Sequence, residues 1–338
     1  MGYRVGIAGI TGYTGVELVR LAASHPELEV VLGAAGASAG QPLSTSWPGL
    51  QGLTELDVES IDPERLAACD VVFLALPHGH AARLAPQLVD AGVLVVDLGA
   101  DFRLRDPEAY ARYYGLTHPC PERLPTAVYG LPELTRGQLA QARLIANPGC
   151  YPTAVTLAAL PLVEAGLVST PLVASCVSGV SGAGRSPGPR NIFCETHDSA
   201  RPYGIAGAHR HTPEIEQNLG CQVVFSPHLV PMNRGMIATV HARLARPIAA
   251  AELQELYATR YADEPMVQMR QDAPGTADVR CSNRAHVHVA LDAERATVTA
   301  VAVIDNLMKG AAGQAVQAMN VALGLPEGLG LPLHPVMI

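Results

Sequence analysis

Residues Gly9-Ile10-Thr11-Gly12-Tyr13-Thr14-Gly15 stand between a strand-like run, Tyr3 to Ile10, and a stretch from Thr14 to Ser24 whose Val16, Leu18, Val19 and Leu21 carry helical spacing. A glycine turn in that position lets backbone approach a phosphate and aims helix N–H groups at it. It also starts an alternation. Leu28 to Ala35, Val71 to Leu76 ended by Pro77, and Val93 to Asp97 read as further strands, largely unbroken in their apolar character. Parallel strands covered on both faces have that character. The expected first half is therefore α/β, a Rossmann-type doubly wound parallel sheet. The spacing is GxxGxxG rather than GxGxxG, and a tight turn without a ligand is the alternative.

Where an NAD-preferring protein places Asp or Glu for the ribose, at the end of the second strand, the chain has Gly36-Ala37-Ser38-Ala39-Gly40. A carboxylate there would repel a 2′-phosphate, whereas Ser38 and its neighbouring N–H groups can receive one. The expected cofactor is NADP, with a plain small-residue loop as the alternative.

Past residue 150 the pattern changes. Gly235 to Leu244 and Ala285 to Leu291 alternate apolar and polar residues, as antiparallel strands with one wet face do. The second half is expected to be α+β with a mostly antiparallel sheet. His286 and His288 are expected to face solvent. Ser178 to Pro189 reads as a binding loop or a mobile surface loop. A final helix from about Asn306 to Leu323 should pack back on the first half. The apolar stretch Ala154 to Ala174 is the longest candidate span, but Pro161, Glu164, Gly166 and Pro171 should divide it into a short helix, a turn and a strand, so no membrane partner is expected.

The net charge of −8 offers no cationic field, which argues against nucleic acid. Lys309 is the only lysine, so amine-based covalent chemistry is set aside. The seven cysteines at 69, 120, 150, 176, 194, 221 and 281 form no CxxC pair or zinc knuckle, and no metal is expected. They suit reduced thiols, and the N-terminus lacks the pattern of a signal peptide, so a cytoplasmic protein is expected.

Asn147-Pro148-Gly149-Cys150-Tyr151-Pro152-Thr153 sets one of those cysteines on a turn that feeds a helix, with Pro152 suited to the first turn. Backbone N–H groups and the positive helix end lower a thiol pKa and favour the nucleophilic thiolate. A small hydrophobe capping a helix is the other reading. In His209-Arg210-His211-Thr212-Pro213-Glu214, Thr212 reads as an N-cap, and His211 just before it can exchange a proton near neutrality. Two surface histidines are the alternative. His78, after Pro77, can line the ligand edge of the sheet or cap the next helix. Arg103, in Asp97-Leu98-Gly99-Ala100-Asp101-Phe102-Arg103, can grip a phosphate or carboxylate, in competition with Arg105, Arg185, Arg190 and Arg210. A surface ion pair with Asp101 or Asp106 is the alternative.

Together these segments resemble the N-acetyl-γ-glutamyl-phosphate reductases, the NADPH-dependent family of arginine biosynthesis. The matching stretches are GITGYTG (9–15), LPHG (76–79), DLGADFRL (97–104), YGLPEL (129–134), NPGCYPTA (147–154), SGVSGAGR (178–185), HRHTPEIEQ (209–217) and DNLMKGAAGQA (305–315). Ser186-Pro187 departs from the basic continuation expected after SGAGR. The resemblance implies that Cys150 is the nucleophile and His211 the acid/base, with His209 second to it or a substrate contact. It makes Arg103 the phosphate binder and adds Asn147 to the substrate site. Contacts to NADP fall to Gly9, Thr11, Gly12, Tyr13, Thr14, Gly15, Ser38, Pro77, Ser181, Gly182 and Asn306. It further implies an NADP-binding domain of residues 1–147 and about 312–338, and a catalytic and oligomerisation domain of residues 148–311. A homodimer or homotetramer acting on a small acyl phosphate is expected.

The chemistry implied is attack of Cys150 on the acyl phosphate, loss of phosphate, and reduction of the resulting thioester. The competing readings are an aspartate-semialdehyde, glyceraldehyde-phosphate or aminoadipyl-type dehydrogenase, a cysteine hydrolase without nucleotide, and a silent NADP sensor.

Overall fold

Seven short strands built from the apolar runs of the first half form one sheet in which every pair is parallel. They are β1 (Tyr3–Ala8), β2 (Leu28–Ala34), β3 (Val58–Glu59), β4 (Val71–Leu74), β5 (Leu94–Asp97), β6 (Ala127–Tyr129) and β7 (Leu144–Ala146), in the order β3-β2-β1-β4-β5-β7-β6. The order reverses direction beside β1, the doubly wound arrangement expected. All four residues of β4 and of β5 are buried, which is why these strands lack polar alternation. The structure, a computed structural model, describes every residue except Met1, Ala37, Pro187, Arg190 and Ile338.

The second sheet holds β8 (Leu172–Ser178), β9 (Arg201–Pro202), β10 (Val223–Leu229), β11 (Met236–Arg243), β12 (Val267–Met269), β13 (Ala285–Asp292) and β14 (Thr297–Ile304). Its order is β12-β13-β14-β11-β8-β10-β9. β8 pairs parallel with β10 and β12 with β13, and the other pairs are antiparallel. β8 and β11 alternate buried with more exposed residues, as one-sided strands do.

The chain divides into two compact units, residues 1–148 with 311–331, and residues 149–310 with 332–338. The tail 332–338 was expected in the first unit and clusters in the second. Its backbone explains the difference: Pro332 O accepts from Asn283 N at 2.8 Å, and Val336 N donates to Arg280 O at 3.0 Å. Helix Gly313–Ala322 rests on helices Tyr13–Ala23 and Pro132–Leu139 within the first unit. It starts later than expected because Met308–Ala312 forms a π-helical turn.

Helix Cys150–Glu164 runs through the second unit with Tyr151 to Leu162 buried, packed on β11, β14 and helix Thr212–Leu219. A helix apolar on all sides is a core helix. The stretch divides as expected into a helix ending at Glu164, a turn at Ala165-Gly166 and β8, with Pro161 inside the helix. Proline has no N–H to give Leu157 O, and Tyr261 Oη supplies that bond at 2.5 Å while Tyr257 Oη serves Ala158 O at 2.6 Å. Tyr261, distant in sequence, thus takes up the carbonyl that the proline leaves.

His286 is buried rather than solvent-facing. The turn Thr276–Val279 lies over β13 and β14 on the face shared by Val301 and Val303, and it covers that face. Among the described residues, no helix is long and apolar enough to cross a membrane.

Candidate active site

The turn after β7 places Cys150 at the start of its helix because Pro148 stops the strand and Gly149 takes an extended N-cap conformation, φ −67° and ψ 149°. No side chain caps this helix end, and its first turn holds no acidic residue. Gly149 N instead donates to Glu214 Oε1 at 2.8 Å, and Glu214 is fully buried. That N–H is therefore not open to a substrate oxygen. Cys150 is partly exposed and opens on a cleft of about 780 Å³ belonging wholly to the second unit.

His211 reaches the same cleft. A Cβ added to Gly149 would lie 2.7 Å from His211 Nε2, so the imidazole packs directly on the residue before the cysteine. A Cβ added to Gly310 would lie 2.9 Å from Cys150 Cβ. Two glycines therefore make room for the pair. His211, not Thr212, occupies the N-cap of helix Thr212–Leu219, since Ile215 N donates to His211 O at 3.0 Å.

His209 packs in the wall beside it, with ring centroids 4.9 Å from His211, 5.7 Å from Tyr151, 5.3 Å from Tyr203 and 5.2 Å from Phe225. Burial, aided by the Arg210 charge, pushes its pKa down to about 4. Tyr203 Oη donates to Tyr151 Oη at 3.0 Å, and Tyr151 Oη to His228 O at 3.4 Å. Burial raises both phenols, Tyr203 to about 12, so they stay protonated. Arg201 and Arg210 complete the cationic side of the cleft, and Gly182 and Asn191 line its loop edge. Arg201, Tyr151, Tyr203 and Glu214 escaped the sequence reading. Tyr151 and Glu214 lie inside the motifs already singled out, but only the fold brings them to the site.

Asn306 uses both ends of its side chain on the protein. Its Nδ2 donates to Ser181 Oγ at 2.9 Å, and its Oδ1 accepts from Gly235 N at 2.6 Å. It supports the Ser181–Gly182 loop. Neighbouring Asp305 holds Arg234 at 2.8 Å and Cys281 N at 2.6 Å, a buried brace that spacing could not reveal.

In the first unit, Gly12 is the N-cap of helix Tyr13–Ala23, which again has no side-chain cap and no acidic first turn. Gly9, at φ +89°, lies against Ala75 O, and a Cβ on Gly15 would collide with Gly9 O. The turn is as tight as an approaching dinucleotide requires, and an uncapped helix end suits its phosphates, so these residues fit the cofactor. Trp47 Nε1 donates to Thr11 O at 3.1 Å, and the Trp47 ring lies 6.0 Å from that of Tyr13. The strand end at Ala34 carries no carboxylate of its own, but Glu59 on β3 pairs beside it and is held by Arg65 at 2.8 Å.

Arg103 is buried, with Nε on Asn147 O at 2.7 Å and an η nitrogen on Leu98 O at 2.9 Å. It braces the approach to the Cys150 turn from a buried position, not from the surface. Asp101 is occupied by Gly79 N, Ala82 N and Tyr110 Oη, and Asp106 caps the helix Pro107–Tyr114. Asp101 is thus what serves the start of helix Ala81–Asp90, where His78 had been expected. The His78 ring stands 5.0 Å from Tyr114 instead. Asn147 is buried, with Nδ2 on Ala311 O at 3.2 Å. Pro77 follows β4, and its carbonyl accepts from His80 N at 3.3 Å. Arg190 lies outside the described residues.

A family model for the semialdehyde dehydrogenase NAD binding domain matches residues 4–142, and one for the semialdehyde dehydrogenase dimerisation domain matches residues 150–306. The N-acetyl-gamma-glutamyl-phosphate reductase of Alkalilimnicola ehrlichii is 51% identical over 98% of this chain and 99% of its own. That of Symbiobacterium thermophilum is 49% identical over 99% and 100%. The chain belongs to the N-acetyl-gamma-glutamyl-phosphate reductase family. It is an oxidoreductase with a nicotinamide-nucleotide-binding domain.

Solved structures share the family's two-domain fold at low identity. Aspartate semialdehyde dehydrogenase II of Vibrio cholerae, complexed with ASA, superposes with a TM-score of 0.71 at 17% identity, covering 96% of this chain and 99% of that one. The Candida albicans aspartate semialdehyde dehydrogenase with NADP gives 0.70 at 18% identity, covering 95% and 98%.

Proposed function

We propose that this reductase converts N-acetyl-γ-glutamyl phosphate to N-acetylglutamate 5-semialdehyde with NADPH, through a thioester on Cys150. The observation that carries the reading is the His211 imidazole packed on Gly149, next to Cys150, in a cleft walled by arginines. Relatives at about half identity bear the name of that reaction. Aspartate-semialdehyde enzymes share only the fold, at 17–18% identity.

Cys150 Sγ attacks the acyl carbonyl, and the carbon–oxygen electron pair leaves with phosphate. Arg201 and Arg210 meet the anionic substrate at the cleft wall, where guanidinium forks suit carboxylate and phosphate. Arg103 holds the Asn147 carbonyl and so fixes the turn, and phosphate binding remains its second proposed role. NADPH, when bound at residues 9–15 and 38, supplies the hydride that a thioester accepts and a carboxylate would not. His211 protonates the departing phosphate and regains its proton from solvent, and after reduction the oxyanion on the Cys150 adduct collapses to the aldehyde and the free thiolate with no further proton transfer.

NADP over NAD rests on the strand end without a carboxylate of its own and on Ser38. A homodimer or homotetramer is supported by the dimerisation domain matched at residues 150–306 and by Val173 and Val224, which stand exposed on the second sheet. A cytoplasmic location suits the seven free cysteines. The test is reduction of NADP by N-acetylglutamate semialdehyde: strict dependence on inorganic phosphate is expected. Turnover without phosphate, or preference for aspartate semialdehyde, would refute the assignment.

A further inference from the structure

His209 and His211 share one cleft wall, yet their hydrogen bonds give them unequal roles. His209 Nδ1 accepts the backbone N–H of His211 at 3.0 Å, and His209 O accepts Thr212 N at 2.9 Å. A ring nitrogen that accepts a main-chain N–H must carry its lone pair, so the neutral ring bears hydrogen on Nε2. Both bonds fall on the two residues that open helix Thr212–Leu219. The ring itself is clamped by Tyr151, Tyr203 and Phe225. Gly204, at φ +56°, presses on its other edge, where a Cβ would lie 2.9 Å from His209 Cβ and 3.0 Å from Cδ2.

We propose that His209 is a positioning residue, held as the Nε2–H tautomer, that aims His211 at Cys150 by fixing the backbone of residues 211 and 212. It moves no proton during turnover. The groups around it agree: Arg210 brings a positive charge, Tyr151 and Tyr203 are protonated phenols, and burial disfavours the imidazolium. The inference rests on the reading of Cys150 and His211 as the reacting pair, and it separates two histidines that sequence leaves interchangeable.

Asparagine places an oxygen where Nδ1 stands, and glutamine places its amide nearer Nε2, so the two variants discriminate. His209→Ala should lower kcat about 10²-fold, a typical worth for a well-placed acid/base, with the KM for acyl phosphate nearly unchanged. His209→Asn should recover most of that loss and keep the wild-type pH profile, whereas His209→Gln should not. Rescue by glutamine alone, or a loss confined to KM, would make His209 a substrate contact through Nε2–H and overturn the proposal. Nitrogen-15 NMR of the resting wild-type protein needs no variant to fold. It should report protonated Nε2 and bare Nδ1 from about pH 6 to pH 8, across the ordinary histidine range. Hydrogen on Nδ1 there would also overturn it. Activity surviving in Cys150→Ser would instead defeat the reading of the reaction and leave the tautomer result standing.

Discussion

The glycine turn of residues 9–15 and the cleft around Cys150 are two solutions to holding a ligand. The first is made of backbone. Gly9 and Gly15 offer a turn too tight for side chains, and Gly12 a helix end without a cap, all within seven consecutive residues. The second is made of side chains gathered from Cys150, the 178–191 loop, β9 and the segment 203–211. A backbone site is written in local spacing, whereas a side-chain site is written in topology. The difference sets how each should fail.

The largest effect belongs to the sulfur. Cys150→Ser should reduce turnover by about 10⁴-fold or more, because a serine hydroxyl stays protonated near neutral pH. NADPH should still bind, read through the fluorescence of Trp47, the only tryptophan, which bonds the glycine turn at Thr11 O. Loss of binding together with turnover would mean that the two sites are not separable.

Gly310→Ala tests how closely the cleft is built. The new methyl must displace Cys150 Cβ, and misplacement on the order of 1 Å lowers rates by about 10². A fall in kcat with little change in the KM for NADPH is expected. Unaltered kcat would show that the cysteine can move without consequence.

Gly15→Ala breaks the other region. Its Cβ meets the Gly9 carbonyl, and overpacking of that kind costs about 1–3 kcal/mol. The KM for NADPH should rise and the first unit should lose stability. Acylation of Cys150 in the absence of NADPH should continue at its wild-type rate. Slowed acylation would deny the division of labour.

The smallest effects are in pH, with opposite signs at His209 in the cleft wall and at Asp97 at the end of β5 in the first unit. His209 has a folded pKa of about 4, below its ordinary 6.5, so its contribution to stability is complete above about pH 6.5 and is lost as pH falls toward 4. Asp97 is raised from 3.8 to about 7 by burial and by repulsion from Asp101, against the pull of Arg103. Its contribution is complete below about pH 3.8 and is lost as pH rises through 7. Melting temperatures of His209→Asn and Asp97→Asn across this window should flatten the acid and neutral limbs respectively. Unchanged limbs would contradict the assignments.

The same contrast explains what could be read from the chain alone. β4 and β5 were legible because every residue in them is buried, and the Cys150 turn because Pro148 and Gly149 interrupt an apolar run. The division of residues 154–174 into helix, turn and strand was legible from Glu164, Gly166 and Pro171, but not how Pro161 is accommodated, since the Leu157 carbonyl it leaves is satisfied by Tyr261, 104 residues away. His286 looked like a solvent residue because nothing in its strand reveals the turn at 276–279 that covers it. Asn306 was read as a cofactor contact from its motif, while its side chain is engaged by Ser181 and Gly235. The Glu214–Gly149 bond, which ties the helix behind His211 to the residue before Cys150, crosses 65 positions and has no local signature.

The most direct test of the account is mass spectrometry of protein quenched after mixing with N-acetyl-γ-glutamyl phosphate in the absence of NADPH. One acyl group per chain on the peptide bearing Cys150, removed when NADPH is added, is the predicted result. Turnover without that adduct, or an adduct on any other residue, would contradict it.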